Sequence, residues 1–153
     1  MGVRNSCDEW NVEQLVRHVI ATHRRVYSLL DSSTSIDVSA HADLVQEWAN
    51  TIMAIRDALA SPELANTPVR ARNGEQPFAT LVSGLLTIDT LCHTWDLAGA
   101  DETLDATAVA KAYSALSAVG DLIRVRGGFA AAIESPPDAD PQTRFLNFAG
   151  RRT

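Results

Sequence analysis

The chain has almost no lysine. Of its 13 basic residues only Lys111 is a lysine, and the rest are arginine. Positive charge as a whole is also scarce, since 19 acidic residues leave a net charge of −6 and a pI near 5.1. Nucleic-acid binding needs a basic face, so this balance argues against a nucleic-acid partner. Cysteine is limited to Cys7 and Cys92, too few and too far apart for a disulfide framework or a zinc-ribbon pair. No apolar run approaches the ~20 residues that span a bilayer, and no membrane partner is expected. Residues 1–10 (MGVRNSCDEW) contain no apolar signal core, so a cytoplasmic location is expected. There is no internal repeat, no low-complexity segment and no convincing strand.

What is present reads as one globular domain of 153 residues, with 46% hydrophobic and 21% charged residues. Asn11 is a candidate N-cap for a helix from Val12 to Leu30, with Val12, Leu15, Val16, Val19, Val26 and Leu30 as its apolar stripe. His23 lies near the centre of that stripe and His18 at its edge, so periodicity favours His23 as the buried histidine. A second helix is expected from near Ser39 to Ser61, with Leu44, Trp48, Ile52, Ile55 and Leu59 inward and Pro62 as its stop. His41 would fall in its first turn. Residues 62–76 read as a loop carrying Arg70 and Arg72. A fourth helix is expected from about Asp105 to Arg124, with Val109, Tyr113, Leu116 and Ile123 inward. Asp140 would cap a short last helix from Pro141 to Ala149, closed by Gly150. The architecture this implies is an all-α, antiparallel four-helix bundle with a short C-terminal helix, Trp48 and Trp95 largely inside.

The third helix, opening near Pro77 and ending at Gly99, holds the chemistry. A regular 3.6-residue winding puts Phe78, Val82, Leu85 and Leu86 on one face. Asp89, His93 and Asp96 fall in the middle of that face, where an uncompensated carboxylate costs several kcal/mol. Asp89 and His93 are four apart, so their Cβ atoms stand roughly 5–6 Å from each other and point the same way. A carboxylate and an imidazole so placed can share a metal ion, or can simply hydrogen-bond inside a helix interface. Cys92 points about 100° away around the helix and reads as core packing.

Cys7-Asp-Glu-Trp10, followed by Leu15-Val16 and His18, resembles the Cys-Pro-Gly-Trp…Leu-Val-x-x-His signature of the DinB/YfiT-like metal-binding proteins, with Asp8-Glu9 in place of Pro-Gly. Asp89-Thr-Leu-Cys-His-Thr-Trp-Asp-Leu-Ala98 is similar to the second signature of the mycothiol-dependent maleylpyruvate isomerase-like branch. Leu104-Asp105, Arg126-Gly-Gly-Phe129 and the segment from Asp138 to Arg151 resemble its later parts. The resemblance implies a divalent metal, zinc first and nickel second, held by His18, Asp89 and His93. It also implies a low-molecular-weight thiol of the mycothiol type as cofactor and a small electrophile as substrate, for a transferase or isomerase reaction. Arg70, Arg72, Arg124 and Arg126 are candidates for holding a carboxylate of the thiol or substrate. Relatives carry a further helix ahead of the Cys-x-x-Trp motif, and this chain begins almost at that motif. A homodimer is the expected means of covering the face so exposed. Two other readings stay open on the residues alone: a non-catalytic metal-binding or interaction module, and a bundle whose His and Asp residues form only a polar network.

Overall fold

A computed structural model describes residues 10–99, 101–124 and 129–153, apart from the side chains of Leu122 and Ile123. Cys7, Arg126 and the side chain of Ile123 therefore lie outside the described residues. The chain is mainly helical and divides into two compact units, one formed by Asn11–Leu86 and the other by Thr87–Thr153 together with Trp10.

The first unit opens with α1, Val12–Tyr27. Asn11 and Gln14 form a reciprocal capping box, each side-chain oxygen accepting from the other's backbone N–H at 2.9 Å. The expected stripe holds at Leu15, Val19 and Val26, but Val12 is 68% exposed and Ile20 is fully buried instead. Helix α2 runs Leu44–Ala60 from an Asp43 cap, five residues later than expected, which leaves the exposed His41 ahead of it. Thr51, Ile55 and Ala58 are its buried positions; Leu59 points outward. Pro62 does stop α2, and it also starts α3, Pro62–Asn66, because a proline at the first helical position lacks only an N–H that would be unbonded anyway.

A short antiparallel hairpin, β1 (Pro68–Ala71) and β2 (Gly74–Pro77), replaces most of the expected loop. It corrects the expectation of a strand-free chain. Its turn is Arg72-Asn73, closed by Gly74 at φ +114°, and Asn73-Gly74 is the local signal for it. Helix α4, Phe78–Leu81, leads into a π-helical segment, Val82–Leu86. A π turn adds about one residue to the helix and so rotates the later residues by about 100° from a regular winding. Leu86 is buried as the regular face expects, while Leu85, placed on that face too, is turned out to 41% exposure within the π segment. Val26, Ile55, Ala58, Val69, Phe78, Leu81 and Leu86 form the apolar cluster of this unit.

In the second unit, α5 (Thr87–Ala98) packs on α6 (Ala106–Val119), and α6 packs on α7 (Pro141–Phe148). Asp105 and Asp140 cap α6 and α7 with side-chain bonds of 2.8 and 3.0 Å, each worth about 1 kcal/mol. Gly120, at φ +57°, ends α6 five residues before the expected end and starts a 3-10 turn over Gly120–Ile123. Ile88, Leu91, Cys92 and Trp95 from α5 meet Val109, Ala112 and Leu116 from α6 and Phe145 and Leu146 from α7. Trp95 is thus inside, as expected; Trp48 is only half-buried, its ring crossing that of His23 nearly at right angles with the centroids 4.9 Å apart. Among the described residues no helix is long and apolar enough to cross a membrane.

The π turn gives a direct test. Phe145→Ala, at a fully buried position, should cost about 3–5 kcal/mol in urea unfolding. Leu85→Ala, which regular spacing would place in the core, should change stability by less than about 0.5 kcal/mol because the side chain is turned out.

Candidate metal centre

Helix α5 presents Asp89, His93 and Asp96 at spacings of four and three, one above the other on a single face. His93 is 7% exposed and the Asp96 side chain has no exposure at all. Asp96 Oδ2 lies 2.9 Å from His93 Nδ1. The same carboxylate accepts two further bonds from Arg151, from Nη2 to Oδ2 at 2.9 Å and from Nε to Oδ1 at 3.3 Å. Burial by itself would raise the Asp96 carboxyl, but the hydrogen bonds from His93 and Arg151 outweigh it and hold the group below its ordinary range. Asp96 is therefore an anion that can only accept, so Nδ1 of His93 carries the proton. In the neutral ring Nε2 is then the nitrogen that bears the lone pair.

That nitrogen lies 3.6 Å from Asp89 Oδ1. The separation is too long for a hydrogen bond. It is close to the ~3.3 Å edge of a tetrahedron whose bonds to zinc are about 2.0–2.1 Å. An imidazole whose far nitrogen is bonded to a carboxylate is the usual arrangement around a metal-bound histidine. Nitrogen and carboxylate donors of this kind suit zinc and nickel. Asp89 and His93 thus fit a divalent cation by donor type, spacing and orientation. Burial pushes the Asp89 carboxyl up from 3.8 to about 6, against the attraction of His93 and Arg151.

Arg151 is absent from the candidates that sequence reasoning picks out. It is 4% exposed, and its place is set by the end of α7. Gly150 N–H donates to Asn147 O and Arg151 N–H to Leu146 O, both at 2.9 Å, the two bonds of a Schellman motif. The motif needs the left-handed backbone of Gly150, φ +82°, and a Cβ there would meet the Ala130 Cβ at 2.7 Å. The chain so reversed lets Arg151 Nη1 reach Ala149 O at 2.9 Å while its other edge faces Asp96. The sequence carries the stop signal, Gly150, but nothing in spacing chooses Arg151 among the arginines as the partner of Asp96.

The other candidate residues are spread over both units. His18 is half-buried on α1, in the unit formed by residues 11–86. His23, on the same helix, is 2% exposed, with Nδ1 at 2.9 Å from Val19 O and its ring against Trp48, a histidine absorbed by its own unit. Arg70 is exposed and paired in register with Glu75, and Arg72 is exposed in the hairpin turn. Arg124 donates to Ala130 O, to Phe148 O at 2.9 Å and to Asp121 Oδ1 at 3.1 Å, and its guanidinium lies 5.0 Å from the Phe148 ring. Cys92 is fully buried in the apolar cluster, a packing position.

The chain is 29% identical over 157 residues to the uncharacterized protein Rv0738 of Mycobacterium tuberculosis strain H37Rv, an alignment spanning 99% of this chain and 85% of that protein. The uncharacterized protein MT0763 of strain CDC 1551 matches to the same extent. No protein-family model matches the chain, and no solved structure does.

The burial of Asp89 has a measurable sign. A carboxyl whose folded value is raised destabilises the fold above that value and costs nothing below its unfolded value. In chelator-treated protein Asp89→Asn should therefore be more stable than wild type above pH 6, by up to about 3 kcal/mol, the equivalent of a shift from 3.8 to about 6. The difference should shrink as pH falls toward 4. Urea titrations across that range check it, and a variant less stable at pH 8 than at pH 4, relative to wild type, would contradict it.

Proposed function

We propose that this chain is a divalent-metal protein in which His18, Asp89 and His93 each offer one ligand atom to the ion, zinc first and nickel second. The observation that carries this reading is the pair Asp89 Oδ1 and His93 Nε2, 3.6 Å apart, with the other nitrogen of His93 held by Asp96. The resemblance of the segment Asp89–Ala98 to the DinB/YfiT-like signature supports it independently. Three protein donors leave a fourth position for a small molecule. On this reading the helices form a four-helix bundle of that type, and the protein is a transferase or isomerase dependent on a low-molecular-weight thiol of the mycothiol kind.

A divalent ion at this position supplies Lewis acidity, which lowers the pKa of a thiol so that the thiolate forms at neutral pH. The chain's own residues do the rest. Asp89 contributes one negative charge, and the two histidines bind as neutral imidazoles. Asp96 keeps the proton of His93 on Nδ1. With such an ion bound, the sulfur of the thiol would be free to add to an electrophilic carbon of the substrate, its proton having passed to solvent. Of the arginine candidates among the described residues, Arg70 and Arg72 are the exposed ones available for an anionic group, whereas Arg124 is engaged with backbone carbonyls. A second reading, a metal-binding module without turnover, shares the same donors and differs only in the assay.

Elemental analysis after exposure to zinc or nickel should find about one ion per chain in wild type and in His23→Ala, and none in His18→Ala. Full loading of His18→Ala would show that the third ligand lies elsewhere. With metal present, Asp89→Ala should melt below wild type, because binding to the folded state alone stabilises it; an unchanged midpoint would sink the metal reading. A thiol-dependent turnover of a maleylpyruvate-type electrophile, lost on chelation, separates the enzyme from the module. A dimer mass in light scattering is expected, as symmetric dimers are the commonest assembly.

A further inference from the structure

Asp96 and Arg151 form a contact that no metal ligand needs for its own coordination, yet both are almost wholly withdrawn from solvent. Arg151 approaches side-on, with Nε on one carboxylate oxygen and Nη2 on the other, the two-point fork that fixes a carboxylate in orientation as well as in charge. One of those oxygens, Oδ2, is also the acceptor for His93 Nδ1. The guanidinium is itself held from two further sides: Nη1 donates to Ala149 O, and its carbon lies 5.8 Å from the centre of the Phe129 ring. Its backbone is fixed by the Schellman motif of α7. Arg151, Asp96 and His93 are thus a relay of three side chains, each with its geometry set by the one before it, ending at the ring nitrogen that faces Asp89.

We propose that Arg151 is a positioning residue for the metal site: by gripping Asp96 at two points it fixes the ring of His93 with its proton on Nδ1 and Nε2 directed at Asp89. The role as a metal-site residue rests on the reading of His18, Asp89 and His93 as ligands; the fixing of the ring does not. Without Arg151, Asp96 would lose its paired cation and the fork that holds its plane. The carboxylate would then be free to turn, and the imidazole would lose the fixed acceptor that keeps its proton on Nδ1. Partners that orient a ligand in this way typically contribute a factor of about 10–100 in metal affinity.

The test uses the whole chain, first stripped of metal. Nitrogen NMR of the histidine rings should show His93 in wild type with its proton on Nδ1 alone. Arg151→Gln should give a mixture of tautomers at His93, and zinc affinity measured against a competing chelator should fall roughly 10–100-fold. Arg151→Lys should recover part of both, since lysine restores the charge but not the fork. Asp96 buried without its cation is costly, so Arg151→Gln can fail to fold. The double variant Asp96→Asn, Arg151→Gln then carries the test, because it removes both charges together. It too should lose the pure Nδ1–H form and bind zinc more weakly. A folded Arg151→Gln protein, or failing that the double variant, with the wild-type ring spectrum and wild-type zinc affinity would overturn the proposal. A wild-type protein that takes up no zinc overturns the metal reading, and the ring spectra still decide whether Arg151 positions His93.

Discussion

Asp96 is a carboxylate taken wholly out of water, and the neighbouring part of the chain is arranged to meet its demands. An ion so placed forfeits several kcal/mol of hydration, which only well-directed partners return. Two arginine donors and one imidazole donor do so here. Their requirement reaches outward. His93 must stand three residues before Asp96 on the same helix face, α7 must end where it does, and the residue after its end must be one with no Cβ. A single buried charge thus dictates a helix register, a helix terminus and a glycine.

Much of this is legible in the amino-acid sequence. The caps Asn11 and Asp140, the start of a helix near Asp105, and the inward side of α5 at Cys92 and Trp95 all come from local chemistry. So does the polar face Asp89–His93–Asp96, because a spacing of four and three survives within any regular helix. The features that spacing does not disclose depend on information that is not local. The π segment Val82–Leu86 changes the winding without a proline to announce it, so Leu85 leaves the face that regular spacing gives it while Leu86 stays buried. The hairpin strands are four residues each, too short for alternation to register, although Asn73-Gly74 marks their turn. Arg151 is not matched to Asp96 by any local signal, because the chain's arginines look alike until folding chooses one.

The two histidines of α1 sit in different surroundings. His23 places its ring against the carbonyl one turn earlier and across the ring of Trp48, so it is taken up in packing. His18, five residues before, stays half-buried. A stripe drawn from hydrophobicity ranks His23 higher, and rightly so for burial.

The separation of Asp96 and Arg151 along the chain, 55 residues, has a kinetic side. The His93–Asp96 bond lies within one turn of α5 and can form as soon as that helix winds, on the microsecond scale of helix formation. The Asp96–Arg151 contact must wait for a long loop to close, and closure entropy delays contacts of that range. On the ribosome the arginine is also made last, after every other member of the group. The imidazole is therefore held early by a partner that is itself not yet held, and the group acquires its final orientation in one late step, when α7 docks and its Schellman turn delivers the cation.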